Sequence, residues 1–350
     1  MAYTTINDPT KHFNTVLYTG DDASTRNITG VGHQPDWVWI KNRGYANKHV
    51  LFDSVRGVNK SLTSNNNAAE VNQNSDGGYL SAFNSDGFTL TEGSSSDNDT
   101  NDDRYTYVAW NWKAGGSASS NSDGSITSSV SANTTAGFSI VSYTGTGSNA
   151  TVGHGLGAVP KMIFFKDRET SVDWGVYAEP NGNTKEMYLS TDDAAGTNSG
   201  AFNSTTPTSS VFTIGTSSRY NPSSKGVIAY CFADVKGYLK IGSYTGNGNA
   251  DGAFVYTGFK PAFILVKDST GSGNNWFIWD NKRDGYNVVN RYLRPNLNSA
   301  EGYYEAIDIL SNGFKNRNTS GSANGSQTYI YMAFAESPLV NSNGVPTNAR

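Results

Sequence analysis

Between Pro35 and Lys41 four apolar residues stand in a row, Trp37-Val38-Trp39-Ile40. The same pattern returns as Met162-Ile163-Phe164-Phe165 between Pro160 and Lys166, and as Phe263-Ile264-Leu265-Val266 between Pro261 and Lys267. An unbroken apolar run bounded by turn formers predicts a strand buried on both faces. The proline suits the start of such a strand, where no ladder donor is needed. The lysine is expected to end the run by reaching solvent.

The landmarks around these runs keep a fixed spacing. A Tyr-Thr-Gly triplet begins 17 residues before each proline, at Tyr18, Tyr143 and Tyr244. A glycine stands three residues before each proline (Gly32, Gly157, Gly258), which predicts a turn with positive φ. An aromatic-rich strand follows each lysine, starting at His49, Trp174 and Trp276. Further strands are expected at Gly87-Phe88, Val211-Phe212 and Gly313-Phe314. Each unit closes on a large-small-large segment: Trp110-Asn111-Trp112, Tyr230-Cys231-Phe232 and Met332-Ala333-Phe334. The chain is a triplication.

The predicted fold is all-β, with three tandem β-sandwich domains of the jelly-roll or lectin-like kind over 16–113, 137–236 and 237–335. Residues 114–136 read as a Gly/Ser-rich linker, flexible by composition, in which Ile126 and Val130 could form a short extra strand. The first unit is therefore expected to swing and the other two to be rigidly joined. Residues 1–15 and 336–350 read as polar arms with little core material, of the kind that orders against a neighbouring subunit.

Composition narrows the function classes. In 350 residues only 16% are charged, aromatics reach 12%, and glycine occupies 38 positions, which suits many short strands joined by polar turns. The formal net charge of −4 lacks the electrostatic footprint of a nucleic-acid binder, so no nucleic-acid partner is expected. No apolar run approaches the ~18 residues of a membrane-spanning helix, so no membrane insertion is expected, and the N-terminus does not read as a secretory signal. The single cysteine, Cys231, leaves no internal disulfide and no cysteine-based zinc site.

The candidate chemistry resolves mostly into structure. His12, His33, His49 and His154 share no repeat position, which argues against a histidine-based site. Cys231 has Asn111 and Ala333 as counterparts, so its position calls for a small side chain rather than a nucleophile. The acidic run 97–103 (Asp97, Asn98, Asp99, Thr100, Asn101, Asp102, Asp103) resembles the start of a calcium loop. It has Asp102 where such a loop needs glycine and Val108 where it needs glutamate, so a solvated loop is the plainer reading and calcium binding the alternative. Asp53 and Asp280 are repeat-related and are explained by turn formation, while Glu179 and Glu305 lie at strand ends or in loops. Trp37 with Trp39, and Trp110 with Trp112, each share a strand face. They could offer a sugar platform, but their counterparts Met162, Phe164, Tyr230 and Phe232 favour plain core. Binding determinants are expected in the long loops 61–78 and 283–304. No catalytic, cofactor-binding or metal residue is assigned, no cofactor is expected, and the chain is not expected to be an enzyme.

With those motifs in hand, the chain resembles a family of structural proteins encoded by tailed bacteriophages of the marine cyanophage type. The likeness lies in the Tyr-Thr-Gly triplets, the Gly-x-x-Pro strand ending in Lys-Asn or Lys-Asp, the Gly/Ser spacer, and the closing segment from Tyr329 to Glu336. It implies a virion component, assembled in the host cytoplasm, and supplies no functional residues. The expected role is a tail fibre or host-attachment protein, or alternatively a capsid decoration or head-fibre protein. The expected partners are other virion proteins, further copies in a homo-oligomer with a trimer favoured, and a host-surface glycan. A soluble carbohydrate-binding protein is the reading from a different class, and a depolymerase would need two acids across a cleft.

Overall fold

Alternate residues of a strand face opposite sides of its sheet, so a strand with no polar position must be covered twice. The computed structural model, which describes residues 3–72, 78–92 and 99–348, shows how this is met. Each unit pairs a large antiparallel sheet with a smaller one. In the first unit the large sheet runs Phe13–Thr19, Thr106–Trp112, Trp37–Asn42, His49–Asp53. The second unit repeats this order with Phe138–Thr144, Gly226–Phe232, Met162–Asp167 and Gly175–Ala178. The third uses Leu239–Thr245, Thr328–Pro338, Phe259–Asp268 and Phe277–Asp280. The predicted all-β class and its three sandwiches are present.

Register is shared as well as order. The apolar run faces the closing segment identically in each unit: Trp37 opposite Trp112, Met162 opposite Phe232, Phe263 opposite Phe334. One face of each large sheet lies under the small sheet of its own unit, where Val38 and Ile40 meet Phe88 and Leu90, and Ile163 and Phe165 meet Phe212 and Ile214. The opposite faces of all three turn inward to one common core. There Trp37 stacks on Tyr230 with ring centroids 4.5 Å apart, Trp110 lies 5.8 Å from Phe263, and Phe232 lies 6.1 Å from Phe334. The units are not beads on a string; they share their largest side chains.

The repeated glycines have identifiable reasons. Gly32, Gly157 and Gly258 take φ values of +84°, +67° and +84°, as the turn before the proline requires. The glycine of each Tyr-Thr-Gly triplet is set by close approach instead. A Cβ on Gly20, Gly145 or Gly246 would lie about 2 Å from the backbone oxygen of Asp102, Pro222 or Gly325. The adjoining tyrosine locks the same loop, with Tyr18, Tyr143 and Tyr244 donating to the carbonyls of Thr100, Tyr220 and Ala323.

Two expectations are corrected. The 114–136 segment is ordered rather than a flexible tether. Its strands Ser119–Asn121 and Ser128–Asn133 extend the second large sheet, with Val130 opposite Val141. Ile126 and Val130 reach the second core, and the Asp36 carboxylate accepts from the Ala114 and Gly116 amides at 2.8 and 3.3 Å. Gly115 is there because Ala132 backbone lies where its Cβ would be, not for flexibility. The polar arms also carry core: Ile6 and Phe13 are buried in the common centre. They order against this chain's own third unit and against each other, with the Tyr3 hydroxyl donating to Gly258 O at 2.6 Å and Asn7 of one arm exchanging hydrogen bonds with Ser342 of the other. Isolated apolar residues in a polar stretch leave no periodicity to detect, which is why the arms looked empty.

Candidate functional site

The residues that invited a chemical reading lie mainly inside. Trp37, Trp39, Trp110 and Trp112 are at most 1% exposed, so none can stack on a ligand. Cys231 sits in the second unit's core, where burial pushes its thiol well up, away from the reactive thiolate. His33 Nδ1 lies 2.8 Å from Thr10 O, and His154 Nε2 lies 3.1 Å from Thr208 O while its Nδ1 accepts from the Leu156 amide. Burial pulls both rings toward the neutral form, His33 to about 4. His49 takes the repeat position of Trp174 and Trp276, and its Nδ1 accepts from the Trp39 indole at 2.9 Å. Glu179 is exposed and Glu305 is buried.

Asp53 and Asp280 do more than form turns. Each accepts from backbone amides two and three residues on, and each also pairs with a fully buried arginine, Arg56 or Arg283. Each then reaches across a unit boundary. The Tyr230 hydroxyl of the second unit donates to Asp53 of the first at 2.6 Å. The Trp110 indole of the first donates to Asp280 of the third at 3.1 Å. At the equivalent places on the remaining boundary stand Met332 and Ala178, which have no polar handle to match.

The same rule governs a second layer. Backbone amides bridge every boundary in the same way: Glu70 to Arg168 O, Ala195 to Ser269 O, and Glu301 to Arg43 O, at 2.8, 3.0 and 2.9 Å. Where the bridge carries glutamate and arginine, the side chains form a fork, Arg168 on Glu70 and Arg43 on Glu301. Arg56 and Arg283 join these forks through Glu70 and Glu301. Where it carries Ala195 and Ser269, neither bridging side chain is charged. The indoles follow suit, with Trp174 donating to Thr63 O and Trp276 to Tyr188 O, both at 2.8 Å, each reaching into the preceding unit. The boundaries therefore run first to second, second to third and third to first. The three units close a ring, with two seams bridged by charged residues and one, second to third, bridged by neutral ones.

The lysines that end the apolar runs do not reach solvent. Lys41, Lys166 and Lys267 are fully buried. Lys166 Nζ lies within 3.3 Å of the carbonyls of Asn67, Asp167, Thr170 and Val172. Lys267 Nζ reaches Asp268 O and Asp192 O, and Lys41 Nζ reaches Asn42 O and Tyr45 O. Burial pulls these amines down, Lys41 to about 7 and the other two to about 8, while the carbonyl cages favour the ammonium form. Two of the cages borrow a carbonyl from the preceding unit, so these lysines are seam elements.

The acidic run is a structural loop in its described part; Asp97 and Asn98 lie outside the described residues. Asn101 is the counterpart of Asn221 and Asn324, buried asparagines that bind the loop after each Tyr-Thr-Gly triplet. The sequence reading missed this trio. The signal was an asparagine five or six residues before each closing strand's first tyrosine-facing position, with a one-residue shift in the third unit. Among the described residues Asp22, Asp102 and Asp103 bring carboxylate oxygens within 4.8 Å of one another, and Asp102 is also paired with Arg104.

What remains open to solvent is concentrated on the third unit. Tyr286 and Tyr304 are 90% and 86% exposed, and both belong to the long loop 283–304 singled out from composition. Beside Tyr286 two adjoining depressions of about 770 and 300 Å³ share Lys260, Asn287, Ile309 and Glu336. The floor is fixed from below. Asn287 accepts from the Ile309 amide at 2.9 Å and donates to Ile309 O at 2.8 Å, which ties the loop to the strand Ile307–Leu310. Asn348 donates to the carbonyls of Ser311, Ser337 and Pro338, so the C-terminal segment forms the other wall. The other long loop, 61–78, is described except for 73–77, and its described part serves two seams, first to second through Asn67 and Glu70 and third to first through Ser64, which donates to Pro295 O.

The chain belongs to the family described as Domain of unknown function (DUF7483), whose description matches residues 8–338 and so spans the whole three-unit ring. Neither a curated protein nor a solved structure matches it. No helix among the described residues is long and apolar enough to cross a membrane.

Proposed function

We propose that this protein is a structural surface component of a virus particle, most simply a host-attachment or tail-fibre element, with capsid decoration as the closest variant. The observation that carries the reading is the closed ring. Three sandwiches share one aromatic core, and partly buried arginines and glutamates pair across two of the three seams. Such an arrangement gives a rigid platform without disulfides and leaves recognition to loops. The resemblance to tailed-phage structural proteins supplies the setting. A threefold arrangement is already completed inside one chain, so other virion proteins, or further copies, would join through the outer faces.

The test is a map of the intact particle together with mass spectrometry of purified particles. The expected result is density for a three-lobed ring on the particle surface and a stoichiometric peptide signal. A chain that never copurifies with particles would overturn the reading, and a soluble carbohydrate-binding protein would then take its place.

A further inference from the structure

We infer that the groove on the third unit, edged by Tyr286 and floored by Asn287 and Ile309, is a binding site for a neutral oligosaccharide. The inference deepens the attachment reading and rests on it for the source of the sugar, a host-surface glycan.

Three observations point this way. First, Tyr286 is the most exposed large hydrophobic residue among the described residues, and it lines a depression. A pyranose has flat C–H faces that pack on an aromatic ring, whose negative face attracts them. Second, the wall and floor carry polar groups with capacity left over. The Asn312 side-chain amide has no partner among the described residues, and Asn281 Oδ1 is buried without one. A buried acceptor left unmatched is destabilising unless a ligand or water fills it, and sugar hydroxyls are such donors.

Third, the charges cancel. Among the described residues, the lysines and acids lining the groove are Lys260, Lys282, Asp284 and Glu336, two of each sign. Lys260 is paired with Glu336 at 2.8 Å, and Asp284 with Arg291 at 3.0 Å. An anionic polymer would need a net positive wall, and a cationic peptide a net negative one. A neutral polyhydroxylated chain needs neither. The depressions adjoin along four shared residues, which gives room for more than one sugar unit.

The experiment uses the full chain and ligand-observed NMR, with panels of neutral gluco-, galacto- and manno-oligosaccharides beside alginate oligosaccharides as the acidic comparison. At least one neutral series is expected to bind, with alginate weaker. Tyr286→Ala is expected to lower the association constant about tenfold or more, and Asn312→Ala about three- to tenfold. Tyr304→Ala, on an equally exposed tyrosine outside the groove lining, is expected to change nothing. Unchanged thermal melting of all three variants establishes that the fold is intact. No neutral sugar bound at millimolar concentration, stronger binding of alginate, or equal losses from Tyr286→Ala and Tyr304→Ala would each overturn the inference. The two readings fail separately: a particle-bound protein that ignores neutral sugars sinks the groove alone, and a sugar-binding protein absent from particles sinks the virion role alone.

Discussion

The Tyr230 hydroxyl reaches across a unit boundary to the Asp53 carboxylate at 2.6 Å, and both groups are fully buried. Asp53 also holds Arg56, which is equally buried, so the aspartate neutralises one unit's arginine while receiving the next unit's hydroxyl. Removing the hydroxyl and removing the carboxylate should therefore differ. Tyr230→Phe takes away one hydrogen bond to a charged acceptor and is expected to cost about 2 kcal/mol. Asp53→Ala leaves a buried guanidinium without its main partner and is expected to cost about 3–5 kcal/mol. Chemical denaturation of the two variants checks the order. If Asp53→Ala proves the milder, the carboxylate is not the anchor of this seam.

The charged and neutral seams suggest a double-mutant cycle. Arg168 and Glu70 occupy the places held by Ser269 and Ala195 on the neutral seam, so Arg168→Ser with Glu70→Ala rewrites one seam in the style of the other. Arg168→Ser leaves Glu70 to Arg56 alone and Glu70→Ala leaves Arg168 without its carboxylate, whereas the pair removes both members of the fork. The double variant is expected to be less destabilised than the sum of the singles by about 1–3 kcal/mol. Additivity within about 0.5 kcal/mol in equilibrium unfolding would mean that the fork contributes geometry but no energy.

How the ring was hidden in the sequence follows from the same residues. Pro35, Pro160 and Pro261 with their apolar runs are local patterns, and a fixed spacing along the chain reveals them. The partners Tyr230 and Asp53 are 177 positions apart, and nothing local links them. The trace that could have been read is the coincidence of Asp53-x-x-Arg56 and Asp280-x-x-Arg283 in the two units whose neighbours present Tyr230 and Trp110, against Ala178 and Asn181 where the neighbour presents Met332. Of the candidate groove, the loop 283–304 was legible from its composition. Its opposite wall was not, because the C-terminal segment looked like a free arm.

Lys166 tests the most consequential difference between sequence and structure. A lysine reaching solvent could be replaced with little effect, within about 0.5 kcal/mol. The buried ammonium instead shares its three protons among four carbonyls within 3.3 Å, one of them Asn67 O of the preceding unit. Lys166→Met keeps the length and removes every donor, leaving carbonyls unmatched inside the protein. The expected loss is about 2–4 kcal/mol, read from the midpoint of urea unfolding. A change below about 0.5 kcal/mol would return the side chain to solvent.

Mild acid should weaken the protein, and His33 is the clearest cause. Burial holds its folded-state pKa at about 4, below the ordinary 6.5, although the Thr10 carbonyl favours the charged ring. Lys113 and His12 add to the lowering, and Asp86 opposes it. The sign follows from which state binds more protons. Between pH 6.5 and about 4 the unfolded chain takes up a proton at this ring and the folded chain does not, so stability falls as pH falls through that window. Fully developed, the loss from this one histidine is about 3 kcal/mol. His12, His49 and His154 are shifted in the same direction and add to it. The melting temperature is therefore expected to drop steadily from pH 7 to about 4.5, and His33→Gln, whose amide can still donate to Thr10 O, should flatten the slope. A melting temperature independent of pH across this window, or an unchanged slope in His33→Gln, would show that the ring is charged in the folded protein.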